Sequence, residues 1–182
     1  NNVAGMTQSA SQLANYVQND NNTYPASAYR LNFITNHDEN SWNGTEYERL
    51  GDAVELFTVF TYVIKGTPLI YSGQEAGMNK RLAFFERDPI PWKDHPMTQL
   101  YKRLNRLKKE NKSIWGGING GSFSKINTDQ PVIYSILRQK DSSRVFAVFN
   151  MSNTSRTIKF SGTAHFGSYK VFPSGNEIVI DS

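Results

Sequence analysis

Apolar and polar positions alternate in two styles along this chain. Up to about residue 112 the apolar positions recur at helical spacing or in short unbroken runs; from Ser113 onward they sit in short β-rich runs divided by turn signals. Residues 7–19 carry Leu13, Ala14, Tyr16 and Val17 in a weak helical pattern, and NDNNTYP reads as its polar stop. Residues 29–35 form a nearly continuous apolar run, the mark of a strand buried on both faces as in a parallel sheet. Thr45 and Glu48 have capping-box spacing, and Leu50, Ala53, Val54, Phe57, Phe60, Thr61 and Ile64 then make one helical stripe, ended by Gly66 and Pro68. Residues 67–72 read as a second buried strand. Together, residues 29–72 predict a strand–helix–strand unit whose crossover is long enough to join parallel neighbours.

Residues 73–96 hold Gly73, Gly77, Pro89, Pro91 and Pro96 without a sustained period, but Phe84, Phe85 and Trp92 mark the segment as an ordered loop. A helix over 97–111 follows. VIYSILR, RVFAVFN, TIKF, YKVF and EIVI are then the expected strands of a small antiparallel domain, with its boundary at residues 111–113.

Composition narrows the classes. A chain of 182 residues with 38% hydrophobic and 13% aromatic residues is globular. The net charge of +4 invites a nucleic-acid reading, but six of the twenty basic residues lie between Lys102 and Lys112, opposite Leu100, Leu104 and Leu107. No aromatic residues interleave with them as on a base-stacking surface, so they read as the solvated face of a helix. With no cysteine, disulfides, thiolate metal sites and a cysteine nucleophile are excluded. No apolar run approaches the roughly 20 residues that span a bilayer, and the featureless opening NNVAGMTQSASQL fits an internal start within a longer protein.

Candidate chemistry lies in LNFITNHDEN, where an apolar run ends in Asn36, His37 and Asp38, and in GTPLIYSGQE about thirty residues on. An imidazole beside a carboxylate at the carboxyl end of a buried strand is a common way for a parallel-sheet enzyme to present polar groups to its active face. Taken alone, the triplet reads more readily as a strand-end turn, Asp38 capping amides and His37 packing locally. His95 and His165 are isolated and read as structural or surface residues, and no spacing of His, Asp and Glu marks a metal site.

In order, FITNHD, GTPLIYSGQE, the loop with FFERDPIPW, an outer helix and a terminal antiparallel β domain resemble the carboxyl-terminal part of an α-amylase-family glycoside hydrolase. The resemblance implies an α/β part plus an all-β part. Residues 1–112 would hold the last two βα units of a (β/α)8 barrel, and residues 113–182 a small antiparallel β-sandwich. It implies that Asp38 is the family's third active-site carboxylate, binding sugar hydroxyls and supporting an oxocarbenium-like transition state. His37 would bond the same sugar, Asn36 would belong to the same substrate-binding triplet, and Glu75 would be mainly structural. Many members place an arginine shortly after the triplet; here Glu39, Asn40, Ser41 and Trp42 follow, and Trp42 is a candidate for stacking on a sugar ring.

Retaining glycosidases need a nucleophile and an acid/base carboxylate about 5 Å apart. In the family these sit on earlier strands, and no counterpart of the family's G-x-R-x-D motif is present. The expectation is therefore a fragment, inactive alone, with no cofactor of its own, calcium belonging to the full-length parent. Its expected partners are α-linked glucans such as starch and maltooligosaccharides, with neither nucleic acid nor membrane. Two barrel strands and a helix would leave open edges and an uncovered apolar face, which predicts self-association through residues 29–72. The alternative is a carbohydrate-binding module in the β domain, for which Tyr134, Phe146, Phe149 and Phe160 would have to face solvent.

Overall fold

In the computed structural model, which describes residues 10–181, helix α1 (Ala10–Thr23) turns Ala10, Leu13, Ala14 and Val17 inward. The first residues of the predicted helix, 7–9, lie outside the described ones. The helix does not stop in the polar run; it continues to Thr23, whose hydroxyl donates to the Asn19 carbonyl at 2.8 Å. Asp20 and Asn21 fail as breakers because Arg30 engages their side chains, which therefore do not compete for the helix backbone.

Strands β1 (Leu31–Asn32) and β2 (Thr67–Pro68) pair in parallel, Leu31 opposite Thr67, through bonds from Thr67 N to Arg30 O at 2.7 Å and from Leu69 N to Asn32 O at 2.8 Å. Both are far shorter than the runs at 29–35 and 67–72 predict. The expected burial on both faces is also not found, since Leu31 is 60% and Phe33 43% exposed. Among the described residues each strand has one partner, and a strand flanked on one edge keeps little of its ladder or its cover.

The crossover begins with the predicted capping box: Thr45 Oγ1 accepts from Glu48 N at 3.2 Å, and Glu48 Oε2 accepts from Thr45 N at 2.7 Å. The stripe does not form one helix. It splits into α2 (Glu46–Leu50) and α3 (Val54–Val63) around a 3-10 turn at Gly51–Ala53, where Gly51 sits at φ 54° and ψ −130°. After α3, Gly66 (φ 122°) lets the chain pass β1 so closely that a Cβ there would lie 2.6 Å from the Arg30 carbonyl oxygen.

Helix α4 (Pro96–Glu110) starts with proline in its first turn and with His95 Nδ1 accepting from Met97 N at 3.2 Å. It buries Met97, Tyr101 and Leu104 and leaves Lys102, Arg103, Arg106 and Lys109 exposed, as the charge pattern predicts. Lys108 departs from that pattern. Its ammonium turns inward onto the carbonyls of Tyr62, Gly66 and Ile114 at 3.2, 3.0 and 2.7 Å.

The β region contains an antiparallel sheet of β3 (Ser122–Ile126), β4 (Ile133–Lys140) and β5 (Ser143–Asn150), and a hairpin of β6 (Gly167–Lys170) and β7 (Glu177–Ile180). TIKF forms no strand and makes a single bridge from Phe160 to Thr128, whereas the polar SFSKI, which lacks an apolar run, becomes β3 because β4 offers it an edge. Phe146 meets Phe160, His165 and Tyr169 at 5.2, 5.4 and 6.1 Å, which packs the hairpin onto β5. One apolar cluster draws on both sides of residue 112: Leu13 and Val17 from α1, Phe60 and Val63 from α3, and Tyr134, Ile136 and Phe149 from β4 and β5.

Candidate active site

After residues 33–36, which are neither strand nor helix, the chain coils. Asn40 N donates to Asn36 O at 2.9 Å, Asn36 Oδ1 accepts from Glu39 N at 2.8 Å, and Glu39–Asn43 completes a wide helical turn. Asn36 therefore does the capping, and the side chain of Asp38 makes no cap bond. The turn throws His37 and Asp38 outward: their side chains are 64% and 58% exposed, with Nε2 and Oδ2 3.5 Å apart. An exposed carboxylate beside an imidazole can accept hydrogen bonds from one polyhydroxyl ligand while its neighbour donates to the same ligand.

The loop after β2 folds over this turn. Asn40, fully buried, donates from Nδ2 to Lys80 O at 3.0 Å and accepts from Leu82 N at 2.7 Å; Ser41 Oγ donates to Leu82 O at 2.8 Å. Lys80 pairs with Asp88, which also accepts from Ala83 N at 3.0 Å, closing residues 80–88 on themselves. The loop tip is thereby held against Trp42: Phe84 lies 5.3 Å from Trp42, 5.7 Å from His37 and 4.8 Å from Phe85. Trp42 and Phe85 remain 59% and 84% exposed, so the four rings form a fixed ridge facing solvent beside Asp38.

Neighbouring acids are engaged. Glu39 holds Arg49 at 3.3 Å, and Arg49 in turn donates to the Ile34 carbonyl at 2.7 Å, behind the turn. The Arg81 guanidinium binds Glu48 at 2.8 Å and holds its carboxyl below the usual range; Lys80, then the Ala83 amide, do the same for Asp88. Glu75 accepts from Gly73 N at 3.0 Å, and its carbonyl accepts from Thr98 Oγ1 at 2.7 Å, bonds that shape the end of the second motif. Among the described residues no group of three or more His, Asp or Glu side chains is placed to hold a metal ion.

The structure brings together Asn36, His37, Asp38 and Trp42. Phe84 and Phe85 were not among the expected site residues. Their signal was FFERDPIPW in an ordered loop, which shows that the rings pack but not that they pack on Trp42.

Residues 2–102 match the alpha-amylase catalytic domain family, which covers more than half the chain. The chain belongs to the alpha-amylase family. It is 25% identical over 169 residues to Alpha-amylase 2 of Dictyoglomus thermophilum, a match that covers 83% of this chain and 29% of that protein. Among solved structures, the maltogenic alpha-amylase AmyB from Thermotoga neapolitana superposes with a TM-score of 0.77 at 21% identity, over 97% of this chain and 42% of that one. An alpha-amylase from Lactobacillus plantarum gives 0.76 at 16% identity, over 99% and 41%. The Nostoc punctiforme debranching enzyme gives 0.68 at 16% identity, over 89% and 33%. This chain therefore shares the fold of part of each and spans well under half the length of these relatives.

Proposed function

We propose that the chain is part of a retaining glycoside hydrolase acting on α-linked glucans, with Asp38 as the carboxylate that binds hydroxyls of the sugar being cleaved. As the ring flattens toward an oxocarbenium ion, charge-assisted bonds from its hydroxyls to Asp38 shorten and strengthen, which favours the transition state over the ground state. His37 donates to the same sugar, Asn36 fixes the turn that aims both, and Trp42 offers a ring face to a pyranose. In this reading residues 1–112 close a (β/α)8 barrel, β1 and β2 being its last two strands, and residues 113–182 are the appended β-sandwich. The nucleophile and the general acid belong to the rest of the parent protein, as does any calcium, and this chain alone does not turn over glucan.

The observation that carries the proposal is the outward His37–Asp38 pair in the turn that follows the parallel strand β1, beside an exposed aromatic ridge, in a member of this family. The β region supports a separate sugar-binding module poorly, since Tyr134 and Phe149 are 1% and 4% exposed. The test is hydrolysis of soluble starch and a chromogenic maltooligosaccharide by the full-length parent, its Asp38→Asn variant and this chain. Activity in the parent, a loss of at least 100-fold in the variant and none in the chain are expected; turnover by the chain alone overturns the assignment.

The open groove of about 980 Å³ between α1, β1 and α3, with Tyr16, Leu31 and Phe33 exposed along it, supports self-association of two copies through residues 29–72. Sedimentation at micromolar concentration should show a dimer or larger species, and a clean monomer counts against it.

A further inference from the structure

We infer that the junction between the α/β part and the β region binds a small divalent oxyanion of the phosphate class. Three cations line one cavity of about 230 Å³ there: Arg30 ahead of β1, Lys65 after α3 and Arg138 in β4. That volume lies below the range of drug-sized ligand pockets and suits an ion. Arg138 is 1% exposed, and its guanidinium donates to four carbonyls, of Ser122, Val63, Trp115 and Gly121, at 3.1, 2.8, 3.3 and 3.3 Å; among the described residues no carboxylate pairs with it. Among the described residues the Lys65 ammonium has neither a hydrogen-bond partner nor an ion pair. Among the described residues Asp20, bound to Arg30, is the one acid paired with any of the three.

A buried cation without a counter-charge is unfavourable unless something neutralises it. Three positive groups against one negative leave two charges, which a divalent oxyanion cancels. Burial, then repulsion by Arg138 and Arg30, pushes the Lys65 ammonium down, in keeping with cations crowded about one point. Guanidinium and ammonium groups are the usual partners of such oxyanions. Because four of the five N–H groups of Arg138 already face carbonyls, Lys65 supplies the direct donors and Arg138 acts through its charge. The bound ion would tie the approach to β1, the exit of α3 and the β4 sheet into one unit.

The test is calorimetric unfolding of this chain in inorganic phosphate, in glycerol phosphate and in chloride, all at one ionic strength, for wild type and Lys65→Gln. Lys65 makes no side-chain bond, so the variant keeps the fold. A midpoint that rises with phosphate but not chloride in wild type, with at least a tenfold weaker phosphate dependence in Lys65→Gln, is expected. A response to both phosphates identifies a phosphomonoester site, and one to inorganic phosphate alone a free-ion site; both support the inference. Line broadening in ³¹P NMR that disappears in Lys65→Gln gives a readout independent of stability. Equal effects of phosphate and chloride, or an undiminished phosphate response in Lys65→Gln, overturn it.

Discussion

Asn40 has no exposed surface, and its carboxamide joins two segments forty residues apart: it donates to Lys80 O at 3.0 Å and accepts from Leu82 N at 2.7 Å. These bonds act as a rung of sheet made by a side chain, and they fix the loop that carries Phe84 and Phe85. Asn40→Ala removes both. Two net hydrogen bonds at about 1 kcal/mol each, together with a backbone carbonyl and an amide left facing a methyl group, bring the expected loss to about 2–4 kcal/mol. With a urea slope of about 2 kcal/mol/M, the unfolding midpoint followed by tryptophan fluorescence should fall by about 1–2 M. Ser41→Ala, which removes only the bond to Leu82 O, should cost about 1 kcal/mol. Asn40→Asp keeps an acceptor for Leu82 N but sets a carboxylate against the Lys80 carbonyl, so it should be no milder than alanine. Trypsin should cut faster after Lys80, Arg81 and Arg87 in Asn40→Ala. A midpoint shift below about 0.3 M with unchanged cleavage would refute the reasoning that Asn40 holds the ridge in place.

Burial pushes Lys108 down to about 8 from the ordinary 10.5. Above pH 8 the folded chain has released that proton while the unfolded chain still binds it, so stability should rise by about 2 kcal/mol between pH 8 and 10. Above pH 10 burial of Tyr62, pushed up to about 12, reverses the sign, because the unfolded tyrosine ionises first. Urea titrations across this range should show the rise, and Lys108→Met should flatten it. Phe85→Ala should weaken maltooligosaccharide binding by this chain about tenfold in affinity electrophoresis with little change in stability, since the ring is 84% exposed. Unchanged binding would remove the ridge from the site. Gly66→Ala puts a Cβ 2.6 Å from a backbone oxygen at a positive φ and should cost about 3 kcal/mol, lowering the thermal midpoint by roughly 6–12 °C.

The order of elements up to α4, the capping box at Thr45 and Glu48, the start of α4 and the strands β4 and β5 were legible in the sequence because each rests largely on nearby contacts. The position of Asn36, His37 and Asp38 was legible in part: they follow a parallel strand in the chain, but β1 ends at Asn32, four residues before Asn36. What depended on distant partners was not legible. Arg30 carries α1 past its polar stop, β4 makes a strand of the polar SFSKI, and lack of a second neighbour leaves β1 short and exposed. The inward turn of Lys108 onto Gly66, the gathering of Arg30, Lys65 and Arg138, and the packing of Phe84 on Trp42 each join segments 35–108 residues apart. Local pattern records which side chains seek burial or water; only the tertiary structure decides which of them meet, because that depends on surfaces the rest of the chain supplies.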